Sequence, residues 1–148
     1  MNIYVASSWR NPYQQDAVRV LRRAGFEVYD FRNPVDGEHG FQWSEIDPKW
    51  QSWSLTEFRS ALSDPVAEHG FGRDWQAMHA ADACLLVLPC GRSSHLEAGW
   101  FSGAGRPTVV WLADGEPELM YKMTTELCVN LPEAVAALEK IRRERGSA

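Results

Sequence analysis

Two carboxylates, Glu97 and Asp74, stand where their spacing allows chemistry. Glu97 follows the small polar run Gly91-Arg92-Ser93-Ser94. Ser94-His95-Leu96-Glu97 has the S-x-x-E form of a capping box, in which Glu97 reaches back to the Ser94 amide. The same residue has a second reading. A carboxylate in the first turn of a helix at a ligand-binding edge stays ionised and can act as a nucleophile or stabilise a cation. Asp74 and Asp82 bracket a helical pattern, eight residues apart and at its opposite ends. Asp82, just ahead of a strand, reads as structural. Asp74, beside Arg73 and Trp75, is either a general acid or a paired surface carboxylate. Cys90 and His95 offer a thiol and a base, but no third residue in the sequence stands out to orient them. The histidines at 39, 69, 79 and 95 form no HxxxH or Cys/His cluster, so neither a metal nor a cofactor is expected.

These residues need a frame, and the alternation of patterns supplies one. Ile3–Ala6, Phe26–Phe31, Cys84–Leu88 and Thr108–Ala113 read as strands, with a weak fifth near Leu127–Val129. Helical patterns intervene. One follows an Asn11-Pro12 start and ends at Gly25. Another follows the capping box Ser54-Leu55-Thr56-Glu57, and a third covers Asp74–Ala81. A fourth runs after Ser94 to the Gly103–Pro107 stop, and the last covers Pro132 to about Arg142. This order predicts a single doubly wound α/β domain over residues 1–148, with a mainly parallel five-stranded sheet that is flavodoxin-like in strand order.

In such a sheet ligands bind beyond the carboxyl ends of the strands. That selects Ser7-Ser8-Trp9-Arg10-Asn11 after the first strand, Asn33 onward after the second, Pro89–Ser94 after the third and Asp114-Gly115-Glu116 after the fourth. The first and third segments lead into helix N-termini, whose backbone N–H groups suit an anion such as phosphate. Residues 33–53, rich in Gly, Pro and aromatic side chains, break the rhythm, and a long loop in a compact domain is usually functional. Trp43, Trp50 and Trp53 there form either a hydrophobic lid over a base or a piece of core. Asn33 and Asp47 offer groups for a base edge on position alone.

Composition narrows the class. At 148 residues with 45% hydrophobic and 24% charged side chains, the chain is an ordinary globular one. A net charge of −5 argues against binding polymeric nucleic acid through phosphate neutralisation. The apolar runs are too short to span a bilayer, the N-terminus carries no signal-peptide pattern, and the three cysteines form no CxxC pair. A cytoplasmic protein with reduced thiols and no membrane partner is expected.

Ile3-Tyr4-Val5-Ala6-Ser7, the Asp74–Asp82 helix and Leu96-Glu97-Ala98-Gly99 followed by Gly105-Arg106-Pro107 together resemble the nucleoside 2-deoxyribosyltransferase superfamily, which includes related nucleotide N-glycoside hydrolases. The resemblance covers the frame from residue 1 to about 113. It implies that Glu97 attacks the anomeric carbon, that Tyr4 orients it and that Asp74 acts on the base as general acid. It also implies substrate contacts from Ser7, Ser8, Trp9, Arg10, Gly91, Arg92, Ser93 and Ser94. Many transferases of the family carry an aspartate six residues before the nucleophile, where Gly91 stands here. Loss of that anion beside Arg92, Ser93 and Ser94 favours a 5′-phosphate over a free hydroxyl. The implied partner is a small nucleoside or nucleotide. The family builds its sites at subunit interfaces, so a homodimer or larger homo-oligomer is expected, with Met120, Tyr121 and Met123 in the contact region. The rival from another class is a catalytically silent nucleotide-sensing module on the same fold.

Overall fold

β-branched and aliphatic residues make five short strands: β1 (Asn2–Ala6), β2 (Glu27–Asp30), β3 (Ala83–Val87), β4 (Thr108–Trp111) and β5 (Glu126–Cys128). A computed structural model, which describes residues 1–34 and 38–147, pairs them into one all-parallel sheet in the order β2-β1-β3-β4-β5. That is the flavodoxin-like order, reversing direction between β1 and β3. Among the described residues five helices accompany it: α1 (Gln14–Arg23), α2 (Leu55–Ala61), α3 (Pro65–Ala80), α4 (Arg92–Gly103) and α5 (Leu131–Gly146).

The described chain divides into two units, Met1–Asp30 with Ala80–Ala148, and Phe31–His79. In the first, alternate strand residues build an aliphatic layer. Ile3, Val5, Leu85, Val87 and Val109 are buried with Ala17, Val18 and Leu21 of α1 and with Ala134 and Leu138 of α5. The intervening positions, Tyr4, Cys84, Leu86, Thr108 and Val110, are buried as well. A strand buried on both faces needs no polar alternation, hence the unbroken run Ala83–Val87. Gly25 and Gly105 adopt positive φ (79° and 68°) just past α1 and α4, the left-handed conformation that closes a helix and that other residues rarely take.

The Phe31–His79 unit is built differently. Residues 35–37 of its long loop lie outside the described residues. The rest folds into 3₁₀ turns at Trp43–Glu45 and Trp50–Ser52. Trp43 meets Phe41, Trp53 and Phe58 edge to face, with ring centroids 4.8, 5.7 and 5.6 Å apart. These geometries suit the aromatic quadrupole. Trp43 and Trp53 are both half-buried in this ring cluster. The Ser54–Glu57 capping box forms as the sequence predicts.

Three helix starts differ from expectation. α3 begins at Pro65, well before Asp74, because Asp64 accepts the Val66 N–H (2.8 Å) and proline suits the first turn. Gly70 and Gly72 had masked that half of the helix. α1 begins at Gln14, though Asn11 Oδ1 still accepts from the Tyr13 and Gln14 N–H groups (2.6 and 3.1 Å). α4 begins at Arg92 rather than after Ser94, and that shift changes the meaning of Glu97.

Candidate active site

β1 and β3 end side by side at Ala6 and Val87, and the chain beyond them is tied into one polar knot. The Ser7 hydroxyl donates to the Val87 carbonyl (2.9 Å). Asn11 Nδ2 donates to Val87 O (3.0 Å) and Pro89 O (2.9 Å). The Ser94 hydroxyl donates to Ser7 O (2.6 Å). Ser7, Asn11 and Ser94 are all buried, so leaving any partner unpaired costs about 1–3 kcal/mol. Asn11 is the residue that sequence reasoning undervalued. It appears there as a helix cap, yet its amide also staples the β1 turn to the β3 turn, and no local spacing signals a contact 76 residues away.

The capping-box reading of Ser94 and Glu97 is corrected here. The N-cap of α4 is Gly91, which makes no side-chain cap bond, and Ser94 lies inside the helix with its hydroxyl occupied by Ser7. The polar knot outcompetes the cap because Ser94 is buried against β1 and cannot turn back to its own helix end. Glu97 consequently sits in the second turn, not the first, and is half-buried. Its charge helps raise the thiol pKa values of both Cys84 and Cys90, after burial as the main cause. Cys84 is the register partner of Tyr4 across β1 and β3. Tyr4, only 1% exposed, stacks on Tyr29 (5.4 Å) and meets Phe101 (5.8 Å). Phe101 is four residues beyond Glu97 and shares its helix face. The nucleophile and orienter candidates thus occupy one side of the sheet at its strand-order switch.

Ser8 is half-buried, whereas Trp9, Arg10, Gly91, Arg92 and Ser93 are exposed around the same edge. Their placement joins the two segments chosen from the sequence, while Ser7 and Ser94 form the frame beneath. Asp74 belongs to the Phe31–His79 unit, half-buried on α3. Asp82 is structural as expected: its carboxylate accepts from the Asn2 N–H and from Arg145 (2.8 Å each). Asp47 holds its own loop, accepting from Lys49 N–H (2.8 Å) and Trp53 Nε1 (2.7 Å), and these bonds hold its pKa below the usual carboxylate value.

His95 does have a third group. Its Nε2 lies 2.9 Å from the Tyr121 hydroxyl, and its Nδ1 lies 2.8 Å from Gly91 O and 3.7 Å from Cys90 Sγ. Burial pushes the Cys90 thiol up to about 11, so it stays neutral and is no nucleophile near neutral pH. Among the described residues, no group of three or more His, Cys, Asp or Glu is placed to hold a metal ion. No helix among them is long and apolar enough to cross a membrane.

No protein-family model matches the chain, and no curated protein matches it. Among solved structures, it is similar to the 2-deoxyribosyltransferase of the psychrotolerant bacterium Bacillus psychrosaccharolyticus. The two share 18% identity over 91% of this chain and 90% of that one, with a TM-score of 0.63. The two share one fold. A more distant likeness, at 12% identity and a TM-score of 0.48, is to the Clostridium botulinum CMP N-glycosidase BcmB, over 94% of this chain and 99% of that one.

Proposed function

We propose that residues 1–148 act as one nucleoside 2-deoxyribosyltransferase-like domain that cleaves or transfers the N-glycosidic bond of a nucleoside or nucleoside 5′-monophosphate. The observation that carries this is the place of Glu97. It lies in the second turn of α4 at the β1/β3 switch, on the helix face whose Phe101 meets Tyr4. The shared fold with a 2-deoxyribosyltransferase supports the same chemistry.

In this mechanism a Glu97 carboxylate oxygen attacks the anomeric carbon as the carbon–nitrogen bond to the base breaks. The developing oxocarbenium charge is stabilised by the carboxylate, and a glycosyl ester results. Tyr4 orients the carboxylate. Asp74 donates a proton to the departing base, which lowers the leaving-group barrier. Water or a second base then attacks the ester and regenerates Glu97. The exposed turn Gly91-Arg92-Ser93, with Ser8, Trp9 and Arg10 opposite, receives the sugar and its 5′-phosphate. The first amides of α4 have no carbonyl four residues back, and Arg92 adds charge. Ser7 and Ser94 act there through the frame they hold.

Incubation with a panel of deoxynucleosides, ribonucleosides and their 5′-monophosphates, read by chromatography for free base, tests this. Base release from at least one member is the expected result. Binding without release across the panel would leave a nucleotide sensor instead. We further propose a homo-oligomer formed through Leu119, Met120 and Met123, which are exposed apolar residues of the 3₁₀ segment Leu119–Met123. Sedimentation at micromolar concentration is expected to show a dimer or larger species, and a monomer would refute it.

A further inference from the structure

Gly91 starts α4 with little to hold it. Glycine has no side chain to cap the helix, a Cβ there would meet nothing within 4 Å, and the first bond of the helix, from His95 N–H to Gly91 O, is long at 3.4 Å. The imidazole of His95 supplies what the backbone does not. Nδ1 lies 2.8 Å from the same Gly91 oxygen. A carbonyl can only accept, so Nδ1 carries the proton and Nε2 is left as an acceptor. The Tyr121 hydroxyl, 2.9 Å away, donates to it, and the two ring planes are nearly parallel, 14° apart with centroids 5.9 Å from each other. Tyr121 is anchored in turn within the Leu119–Met123 segment, where its backbone carbonyl accepts from Thr124 Oγ1 (2.6 Å).

The consequence follows from peptide geometry. In a trans peptide the carbonyl and the next N–H point in opposite directions. Fixing Gly91 O against the His95 ring therefore fixes the Arg92 N–H outward, beyond the start of α4. We propose that His95, held by Tyr121, is a positioning residue that aims the Gly91–Arg92 amide at the 5′-phosphate of the substrate. This rests on the reading of the 91–93 turn as the phosphate subsite. The residues that follow β4 thereby act on phosphate recognition through a two-ring relay without touching the ligand.

The test compares His95→Phe, Tyr121→Phe and His95→Asn, each checked for folding by circular dichroism. Asparagine can restore a short donor toward Gly91 O. KM for a nucleoside 5′-monophosphate is expected to rise about tenfold in His95→Phe and about threefold in Tyr121→Phe, with partial recovery in His95→Asn. kcat and the KM for the unphosphorylated nucleoside are expected to stay within about twofold. Equal losses on both substrates, a fall confined to kcat, or no change in any variant would overturn the positioning role. Calorimetric titration with inorganic phosphate separates the two levels of the proposal. Wild-type protein that binds no phosphate and does not distinguish the two substrates overturns the subsite and the relay together. Phosphate bound equally by wild type and His95→Phe overturns the relay alone.

Discussion

In the Met1–Asp30 and Ala80–Ala148 unit, four parallel strand pairings bury aliphatic side chains on both faces of a sheet. In Phe31–His79 there is no strand among the described residues, and α2 buries none of its side chains. Leu55 is 87% exposed there, and Leu62 is 50% exposed. Edge-to-face rings around Trp43 and hydrogen-bonded turns at Asp47 and Ser54 hold this second unit. One unit is made rigid by a ladder, the other by local contacts. Elements with few buried apolar contacts open at lower free energy, so the second unit is the more easily rearranged of the two.

The widest test of that contrast asks which unit carries the bond-breaking step. Glu97→Gln alters the sheet unit and Asp74→Asn the other. Gln keeps the shape of Glu97, so the amide is expected to leave the melting temperature nearly unchanged while turnover falls by about three powers of ten or more, since an amide cannot form the ester. Asp74→Asn removes only a proton donor, for which the usual loss is about 10²–10⁴-fold, least on substrates with activated leaving bases. A folded, active Glu97→Gln protein ends the covalent mechanism. A leaving-group-independent loss in Asp74→Asn ends the acid role.

The sheet unit was legible because its pattern is periodic and long-range register follows from it. Every strand falls within a residue or two of its predicted place, and the C-terminal-edge rule selects the β1 and β3 turns before any contact is known. What escaped was non-local. The Ser94–Ser7 and Asn11–Val87 bonds join residues 87 and 76 positions apart, and they overrode a capping box that was sound on local grounds. Tyr121 likewise reaches His95 across 26 residues. The first half of α3 escaped for an opposite reason: two glycines weaken the helical pattern, and only packing against Phe41 explains Gly70.

Thiol reactivity sharpens the picture at the sheet edge. Burial raises the Cys90 pKa to about 11, above the ordinary thiol range. With a raised pKa the reactive thiolate is scarce below that value and appears as pH climbs toward it. At pH 8, alkylation of Cys90 by iodoacetamide is expected to run about a hundredfold slower than for a free cysteine, rising roughly tenfold per pH unit. Peptide mass spectrometry of timed samples measures this. A rate matching free cysteine would show an open edge with an activated thiol.

The difference in cooperativity is probed by one truncation in each unit. Leu85→Ala empties a fully buried position in β3, and about 2–5 kcal/mol is expected, felt across the whole sheet. Trp43→Ala removes the hub of a half-buried ring cluster, for which about 2–4 kcal/mol is expected. Hydrogen exchange distinguishes them. After Trp43→Ala, protection is expected to fall in residues 41–79 and persist in β1, β3 and β4. Equal loss in both units would mean that they unfold as one.

The smallest effects come from two glycines a half-turn apart on α3, and they should have opposite signs. Alanine in a helix interior is favoured over glycine by about 1 kcal/mol through backbone entropy. At Gly72 a Cβ would meet nothing within 4 Å, so Gly72→Ala is expected to realise that gain. At Gly70 the added Cβ would stand 2.7 Å from Phe41 Cβ and 3.0 Å from its Cγ. Phe41 cannot yield by turning its ring, because the nearest atom is the one attached to its backbone. The helix or the Phe41 segment must shift, and overpacking of this kind costs about 1–3 kcal/mol, which outweighs the propensity gain. Gly70→Ala is therefore expected to lower the denaturation midpoint while Gly72→Ala raises it. If both raise it, Phe41 is held loosely, and the close approach that fixes this ring on α3 is not a constraint of the fold.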